Sequence, residues 1–301
     1  MNINVVKQEF GKYWAAYCGD SCEVLRGIPD SSCDLSLYSP PFESLFVYSS
    51  SERDLGNCKG HDEFFSHYKF IIQEILRVTK QGRLTCVHTS DIPAMAQSDG
   101  YIGLKDFPGD VIRAYTKEGW IFHGRCFIPK NPQMQAIRTH SKALLFVQLR
   151  KDASDSRPAL IDQVLLFKKK GESEVPVLPV KNGEIDNDTW IEWANGVWLN
   201  IRETDTLQYH TAKANDDEKH VAPLQLGTVE RCIKLYYNPG ETILTPFMGI
   251  GTEAYQAIKF SRKAIGIELK PEYFNVAVNN LRKAESDSNI QDLFSQSGVL
   301  V

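Results

Sequence analysis

Two short segments, far apart in the chain, carry the residues best suited to chemistry. Ser39-Pro40-Pro41-Phe42 follows the apolar run Cys33–Tyr38. Proline fixes φ and carries no N–H, so this loop is a stiff platform offering a hydroxyl, a free carbonyl at Pro40 and an aromatic face. A planar substrate bearing an amine suits such a loop. Its two N–H donors can be accepted by Ser39 Oγ and a loop carbonyl, which pushes the nitrogen toward a tetrahedral, nucleophilic form, while Phe42 stacks on the plane. A Pro-Pro turn beside a buried Phe is the plain alternative, and for these four residues alone it is the commoner one.

The second segment is Pro246-Phe247-Met248-Gly249-Ile250-Gly251-Thr252, after the apolar run Thr242-Ile243-Leu244. Glycines let backbone approach a ligand closely, and Thr252 is placed to cap the helix that follows. Glu268 ends the next apolar run, where a carboxylate can accept both hydroxyls of a ribose. Strand, glycine turn, helix, strand and acid together are a recipe for gripping a nucleoside. Two alternatives stay open: a tight turn with an exposed acid, and a nicotinamide-binding fold in which Ala254 stands for the third glycine.

The elements that must position these segments alternate between strand-like runs and helix-period stretches, which predicts an α/β fold. Strands are expected at Trp14–Cys18, Cys33–Tyr38, Leu84–His88, Thr242–Leu244 and Ala264–Glu268. Trp120–Ile128 and Ala143–Leu149 read as a pair of strands. Phe64, Phe65, Tyr68, Ile71, Ile72, Ile75 and Leu76 recur at helical spacing, with Gly82 as the stop. A helix is expected from Pro223 to Tyr237 with Leu226, Val229 and Ile233 on one face. Another, opened by Pro271, turns Phe274, Val278 and Leu281 inward. Residues 1–167 and 218–284 then form two halves of one domain. Residues 168–217, with Trp190, Trp193 and Trp198, form an irregular insertion, and residues 285–301 a polar, frayed tail.

The chain has 301 residues, of which 42% are hydrophobic, enough for a large buried core. No apolar run approaches the length of a membrane span, and the first residues lack the pattern of a signal peptide. Seven cysteines at irregular spacing, without a CxxC pair, argue for free thiols in a reducing cytoplasm and against a disulfide framework or zinc site. His61 and His67 read as surface residues. A Gly-x-Ser-x-Gly elbow is absent, which excludes that class of hydrolase. Net charge is −4, yet residues 121–151 carry Arg125, Lys130, Arg138, Lys142, Arg150 and Lys151 with no acid. That stretch is either a phosphate-binding patch or an ordinary solvated face.

Taken together and in this order, the segments resemble the N4-cytosine/N6-adenine DNA methyltransferases, in the permuted (β-class) arrangement where the catalytic motif precedes the cofactor motif. The chain is similar in particular to stand-alone methylases of phages and prophages, through Gly119–Gly124, Gln148–Asp152 and Lys219–Leu226. The resemblance implies a Rossmann-like, seven-stranded, mostly parallel sheet with helices on both faces, S-adenosylmethionine as methyl donor, and double-stranded DNA as substrate with the target base flipped out. It places Ser39, Pro40, Pro41 and Phe42 in the catalytic loop. Gly249, Gly251 and Thr252 become the cofactor turn with Phe247 beside it, and Glu268 the ribose carboxylate. Asp20 falls near the adenine of the cofactor, and His220 and Pro223 near its methionine end. Arg125, Lys130, Arg138 and Lys142 become DNA contacts, and residues 168–217 a target-recognition region. That region is short for the task, which leaves room for loose specificity or a homodimer.

Two positions depart from the family pattern. Thr245 stands where Asp is usual, and Phe42 where Tyr is commoner. Ser39 bears on the target: cytosine-N4 enzymes of the permuted class mostly carry Ser there, adenine enzymes mostly Asp. The expected reaction is therefore methylation of cytosine N4, with adenine N6 or a catalytically silent DNA-binding protein of the same fold as the alternatives.

Overall fold

A computed structural model describes residues 5–41, 55, 58, 60–94, 99–139, 141–207 and 223–297. The chain opens with β1 (Val5–Phe10), β2 (Trp14–Gly19), α1 (Ser21–Leu25), β3 (Cys33–Tyr38), α2 (His61–Val78) and β4 (Thr79–Ser90). A small hairpin-like pair follows, β5 (Ile92–Ala94) and β6 (Gly103–Lys105), then α3 (Phe107–Lys117) and β7 (Ile121–Ile128). Next come α4 (Pro132–Thr139), α5 (Phe146–Lys151), β8 (Asp162–Lys168) and α6 (Asn187–Trp193). The last part supplies α7 (Leu226–Tyr236), β9 (Thr242–Thr245), α8 (Thr252–Lys259), β10 (Lys263–Glu268) and α9 (Pro271–Ser297).

One sheet holds all strands but β5 and β6, in the order β1-β2-β10-β9-β3-β4-β8-β7. From β2 to β4 the pairing is parallel, whereas β8 runs antiparallel to both β4 and β7. These are the seven strands the resemblance implies. An eighth, β1, is added antiparallel along β2. Strands β3 and β8 are buried almost residue for residue, as strands covered on both faces must be. Val24 and Leu25 of α1, Phe64, Tyr68 and Ile75 of α2, and Val111 and Tyr115 of α3 share one core. On the other face Val229 and Ile233 of α7, Ala254 and Ile258 of α8, and Phe274, Val278 and Leu281 of α9 form the second core.

Four local expectations are corrected. Ala143–Leu149 is not a strand: it forms a 3-10 turn at Lys142–Leu144 and then α5, with Phe146 and Val147 exposed. The place beside β7 is taken by Asp162–Lys168, whose pairing along both β4 and β7 buries a stronger apolar run. Gly82 does not end α2, which stops at Val78; Gly82 lies inside β4 at a φ of 69°. The helix expected from Pro223 begins at Leu226, behind the N-cap Gln225. Beyond Lys283, α9 continues instead of fraying. Ala284 is buried, and Glu285 accepts from the backbone N–H groups of Lys12 and Tyr13 at 2.6 and 3.1 Å.

The irregular segment after β8 is anchored at specific points. Trp198 is buried, and its indole N–H donates to the Trp193 carbonyl at 2.9 Å. The Trp198 N–H donates to the Phe127 carbonyl, and the Phe127 N–H to the Gly196 carbonyl, both at 2.8 Å, which lays this segment along β7. Arg231 of α7 covers the Trp193 and Trp198 rings at 5.2 and 5.4 Å. Trp190 is exposed. Farther back, the buried Arg262 guanidinium holds the Glu184 carboxylate at 2.7 Å.

Candidate active site

The sheet reverses its winding between β9 and β3. From β9 the chain moves outward to β10, and from β3 it moves outward the other way to β4. Ligands of open α/β sheets bind in the crevice outside the carboxyl ends of strands at such a point. Both segments singled out from the sequence emerge there. Leu35 and Ser36 pair with Ile243 and Leu244, so the loops leaving β3 and β9 start side by side. The Tyr38 and Phe247 rings lie 5.6 Å apart.

On the β9 side the chain enters a tight turn. Gly249 and Gly251 have φ of 54° and 89°, the left-handed region that only glycine enters without strain. A Cβ on Gly251 would come within 3.2 Å of Ala277 Cβ, so close packing of α8 on α9 also requires glycine there. Among the described residues nothing lies within 4 Å of the position a Gly249 Cβ would take, which leaves that face of the turn open to them. Glu268, at the end of β10, closes the turn: one carboxylate oxygen accepts from the Gly249 N–H and the other from the Lys270 N–H, both at 2.8 Å. Gly251, not Thr252, is the N-cap of α8; Thr252 is its first helical residue and is buried.

Asp20 follows β2, which pairs with β10 so that Cys18 faces Glu268. Its carboxylate caps α1 by accepting from the Cys22 N–H at 2.7 Å. The next residue, Ser21, donates through Oγ to the Pro246 carbonyl and ties α1 to the glycine turn. Thr245, where the family usually has Asp, is buried at the end of β9, and its hydroxyl has no hydrogen-bond partner among the described residues. The open turn, the anchored carboxylate and this orphaned hydroxyl fit a nucleoside cofactor. Pro223 lies half-buried before α7, and His220 falls outside the described residues.

On the β3 side Ser39 and Pro41 are half-buried and Pro40 is buried, whereas Phe42 falls outside the described residues. Ser39 Oγ lies 3.2 Å from the His88 carbonyl and 3.5 Å from His88 Nδ1. Behind it, His88 Nε2 lies 3.3 Å from Asp162 Oδ2, and Lys130 Nζ lies 2.7 Å from Asp162 Oδ1. His88 and Asp162 are absent from the sequence reading. The pairing of β3 with β4 brings His88 to the loop and that of β4 with β8 brings Asp162 behind it, and no local spacing announces either.

The four basic residues divide. Lys130 commits its charge to the buried Asp162. Arg125 and Lys142 are exposed, Arg125 lying over the Phe122 ring and donating to Gln163 at 3.3 Å. Arg138 lies on α4.

One buried acid next to the turn has a measurable consequence. Burial pushes the Glu253 carboxyl up to about 8; its own backbone N–H opposes this and the Glu268 charge adds to it. Between the ordinary value of 4.5 and about 8, the unfolded chain loses this proton while the folded one keeps it. Stability therefore falls as pH rises through that window. Glu253→Gln removes the effect, so its thermal midpoint should exceed the parent's at pH 8 by clearly more than at pH 4. Melts giving the same difference at both pH values would contradict this account.

Among the described residues no helix is long and apolar enough to cross a membrane, and no group of three or more His, Cys, Asp or Glu is arranged to hold a metal. All seven cysteines are free thiols.

The sheet order, the switch-point crevice and the anchored glycine turn define a methyltransferase fold of the kind that binds S-adenosylmethionine. Residues 33–279 match the N6/N4 DNA methylase model, and the chain belongs to that family of S-adenosylmethionine-dependent DNA methyltransferases. It is 35% identical over 295 residues to the Type II methyltransferase M.Cfr9I of Citrobacter freundii, covering 89% of this chain and 88% of that one. The match to the Type II methyltransferase M.BglI of Bacillus subtilis is 28% identical over 170 residues and spans only 41% of that protein. Among solved structures, the cytosine-N4-specific PvuII DNA methyltransferase superposes with a TM-score of 0.65 at 18% identity, covering 95% of each chain. A DNA modification methylase of Thermus thermophilus, complexed with S-adenosyl-L-methionine, gives 0.65 at 18% identity, over 91% of this chain and 96% of that one.

Proposed function

We propose that this chain methylates the N4 amine of cytosine in double-stranded DNA. The observation that carries the reading is a serine, not an aspartate, at position 39, in the loop leaving the strand that pairs with β9 beside the glycine turn. When bound, S-adenosylmethionine supplies a methyl group on positively charged sulfur, an electrophile that needs no further activation. The protein's task is to make an aromatic amine nucleophilic and to hold it in line. Ser39 Oγ accepts one amine hydrogen and the Pro40 carbonyl the other, which localises the nitrogen lone pair. Phe42 stacks on the flipped base and offsets part of the few kcal/mol that unstacking costs, about the magnitude of one base–aromatic contact.

Glu268 and Asp20 hold the cofactor's ribose and adenine, and Gly249, Gly251, Thr252 and Phe247 shape its seat, with His220 and Pro223 toward its methionine end. Arg125, Arg138 and Lys142 bind phosphates, and the segment from Lys168 to Asp217 reads the sequence around the target.

Nucleoside mass spectrometry of DNA incubated with the purified protein and S-adenosylmethionine tests the assignment. N4-methylcytosine is the expected product. N6-methyladenine instead would overturn the choice of base and leave the amine chemistry standing. DNA binding with no methylated nucleoside would favour the silent DNA-binding alternative.

A further inference from the structure

We propose that His88, oriented by Asp162 and Lys130, is the positioning residue that accepts the Ser39 hydroxyl proton and so lets Ser39 take a proton from the substrate amine. The inference rests on the reading of Ser39 as the residue that touches that amine.

The four side chains form a continuous line from the catalytic loop into the sheet. Ser39 follows β3 directly, and Tyr38 pairs with Val87, so Ser39 emerges beside His88. Asp162 opens β8 opposite Ser90, two residues from the position facing His88, which is diagonal reach across an antiparallel pair. Lys130 follows β7, whose Ile128 pairs with Asp162 from the other side. Distances along the line are 3.5 Å from Ser39 Oγ to His88 Nδ1, 3.3 Å from His88 Nε2 to Asp162 Oδ2 and 2.7 Å from Asp162 Oδ1 to Lys130 Nζ.

The charge buried beside the ring is the argument for which way its protons point. His88 and Asp162 are both buried. Neither His88 Nε2 nor Asp162 Oδ2 has a hydrogen-bond partner among the described residues, and the two atoms face each other. Burial alone would push the Asp162 carboxyl up, but His88 and Lys130 more than reverse this and hold it down at about 2. Asp162 is therefore an ionised acceptor, and its place at Nε2 selects the tautomer with hydrogen on that nitrogen. Nδ1 then carries the lone pair 3.5 Å from Ser39 Oγ, whose hydroxyl at rest donates to the His88 carbonyl at 3.2 Å and must rotate to Nδ1 to hand over its proton. Such contacts are commonly long without substrate and tighten when it binds.

The proton balance is closed within the site. As the amine nitrogen forms its bond to carbon it must give up one hydrogen. That N–H bond breaks as Ser39 Oγ takes the proton, and the Ser39 O–H bond breaks as His88 Nδ1 takes the hydroxyl's own proton. The imidazolium faces the Asp162 carboxylate, and no group is oxidised or reduced. Elsewhere this logic of nucleophile or acceptor, imidazole and buried carboxylate governs acyl transfer; here it serves a hydroxyl that removes a proton.

A double-mutant cycle under single-turnover conditions tests the proposal, with radiolabelled S-adenosylmethionine and wild type, His88→Gln, Ser39→Ala and the double variant. His88→Gln should lower the rate by about 10- to 100-fold, the lower end of what a positioned acid or base contributes, with cofactor affinity unchanged. In the Ser39→Ala background the same change should add nothing, because His88 acts only through that hydroxyl. A further drop of equal size in the double variant would mark a merely structural role and overturn the proposal, as would a wild-type rate for His88→Gln. A wild-type rate for Ser39→Ala would instead refute the reading of the site itself.

Nitrogen chemical shifts of the His88 ring provide a readout that needs neither turnover nor cofactor, and they decide alone where Ser39→Ala falls below the assay floor or His88→Gln does not fold. Hydrogen on Nε2 in wild type, changing toward Nδ1 in Asp162→Asn, is expected. Hydrogen on Nδ1 in wild type would overturn the proposal.

Discussion

Ser39→Ala should lower the rate of methyl transfer at least about a hundredfold, with the affinity for S-adenosylmethionine unchanged. The magnitude is that of removing one preorganised group from the reacting centre of an enzyme. The selectivity follows from placement. Ser39 lies one residue beyond β3, and its hydroxyl meets only His88 among the described residues, whereas the glycine turn proposed to seat the cofactor is built from β9 and β10. Nothing in the turn leans on the hydroxyl. Single-turnover kinetics and calorimetric titration of the cofactor measure the two quantities separately. Equal losses in both would mean that Ser39 supports the fold of the crevice and does not take part in the chemistry.

Glu268→Ala should show the opposite split, raising the dissociation constant for S-adenosylmethionine by about a hundredfold. Each hydrogen bond to a charged group contributes roughly 1.5–3 kcal/mol, and about 2.7 kcal/mol is a hundredfold in affinity. Two such bonds, from the Gly249 and Lys270 N–H groups, fix the carboxylate in place. Losing it removes the proposed ribose acceptor and also frees the Gly249 N–H, so the turn loses shape together with that ligand contact. Glu268→Gln should lose less, because the amide oxygen can still accept one of the two backbone donors. The titration that gave an unchanged affinity for Glu268→Ala would remove the ribose from the account of this site.

How far the sequence reveals all this depends on the range of the interactions concerned. The turn from Pro246 to Thr252 and the acid at Glu268 are legible because strand, turn, helix and strand are contiguous and each leaves its own short-range signature. Ser39-Pro40-Pro41 is legible as a stiff loop for the same reason. The environment of Ser39 is not. His88 sits in an apolar strand where it reads as one more buried residue, and Asp162 and Lys130 reach it only through antiparallel pairing across β4, β8 and β7. Lys130 accordingly looks like a member of a basic surface patch until the sheet turns it toward Asp162. Ala143–Leu149 fails in the other direction. It is apolar enough for a strand, but Asp162–Lys168 wins the only place between β4 and β7, and Phe146 and Val147 are left in solvent. Residues beyond Lys283 are polar enough to suggest a loose tail, whereas the burial of Ala284 and the contact of Glu285 with the backbone at Lys12 and Tyr13 hold the helix there.

The central position of β9 and β10 has a consequence for how the molecule comes into being. Synthesis delivers β2 and β3 early, yet they are not neighbours, and the two strands that separate them emerge more than two hundred residues later. The nascent chain must keep a two-strand gap open, with apolar edges exposed on both sides, until residue 268 has left the ribosome. Contacts of such long sequence separation are slow to form and leave the waiting edges prone to sticking. A premature stop anywhere before β9 therefore yields no half-active fragment: it yields a sheet with its middle missing.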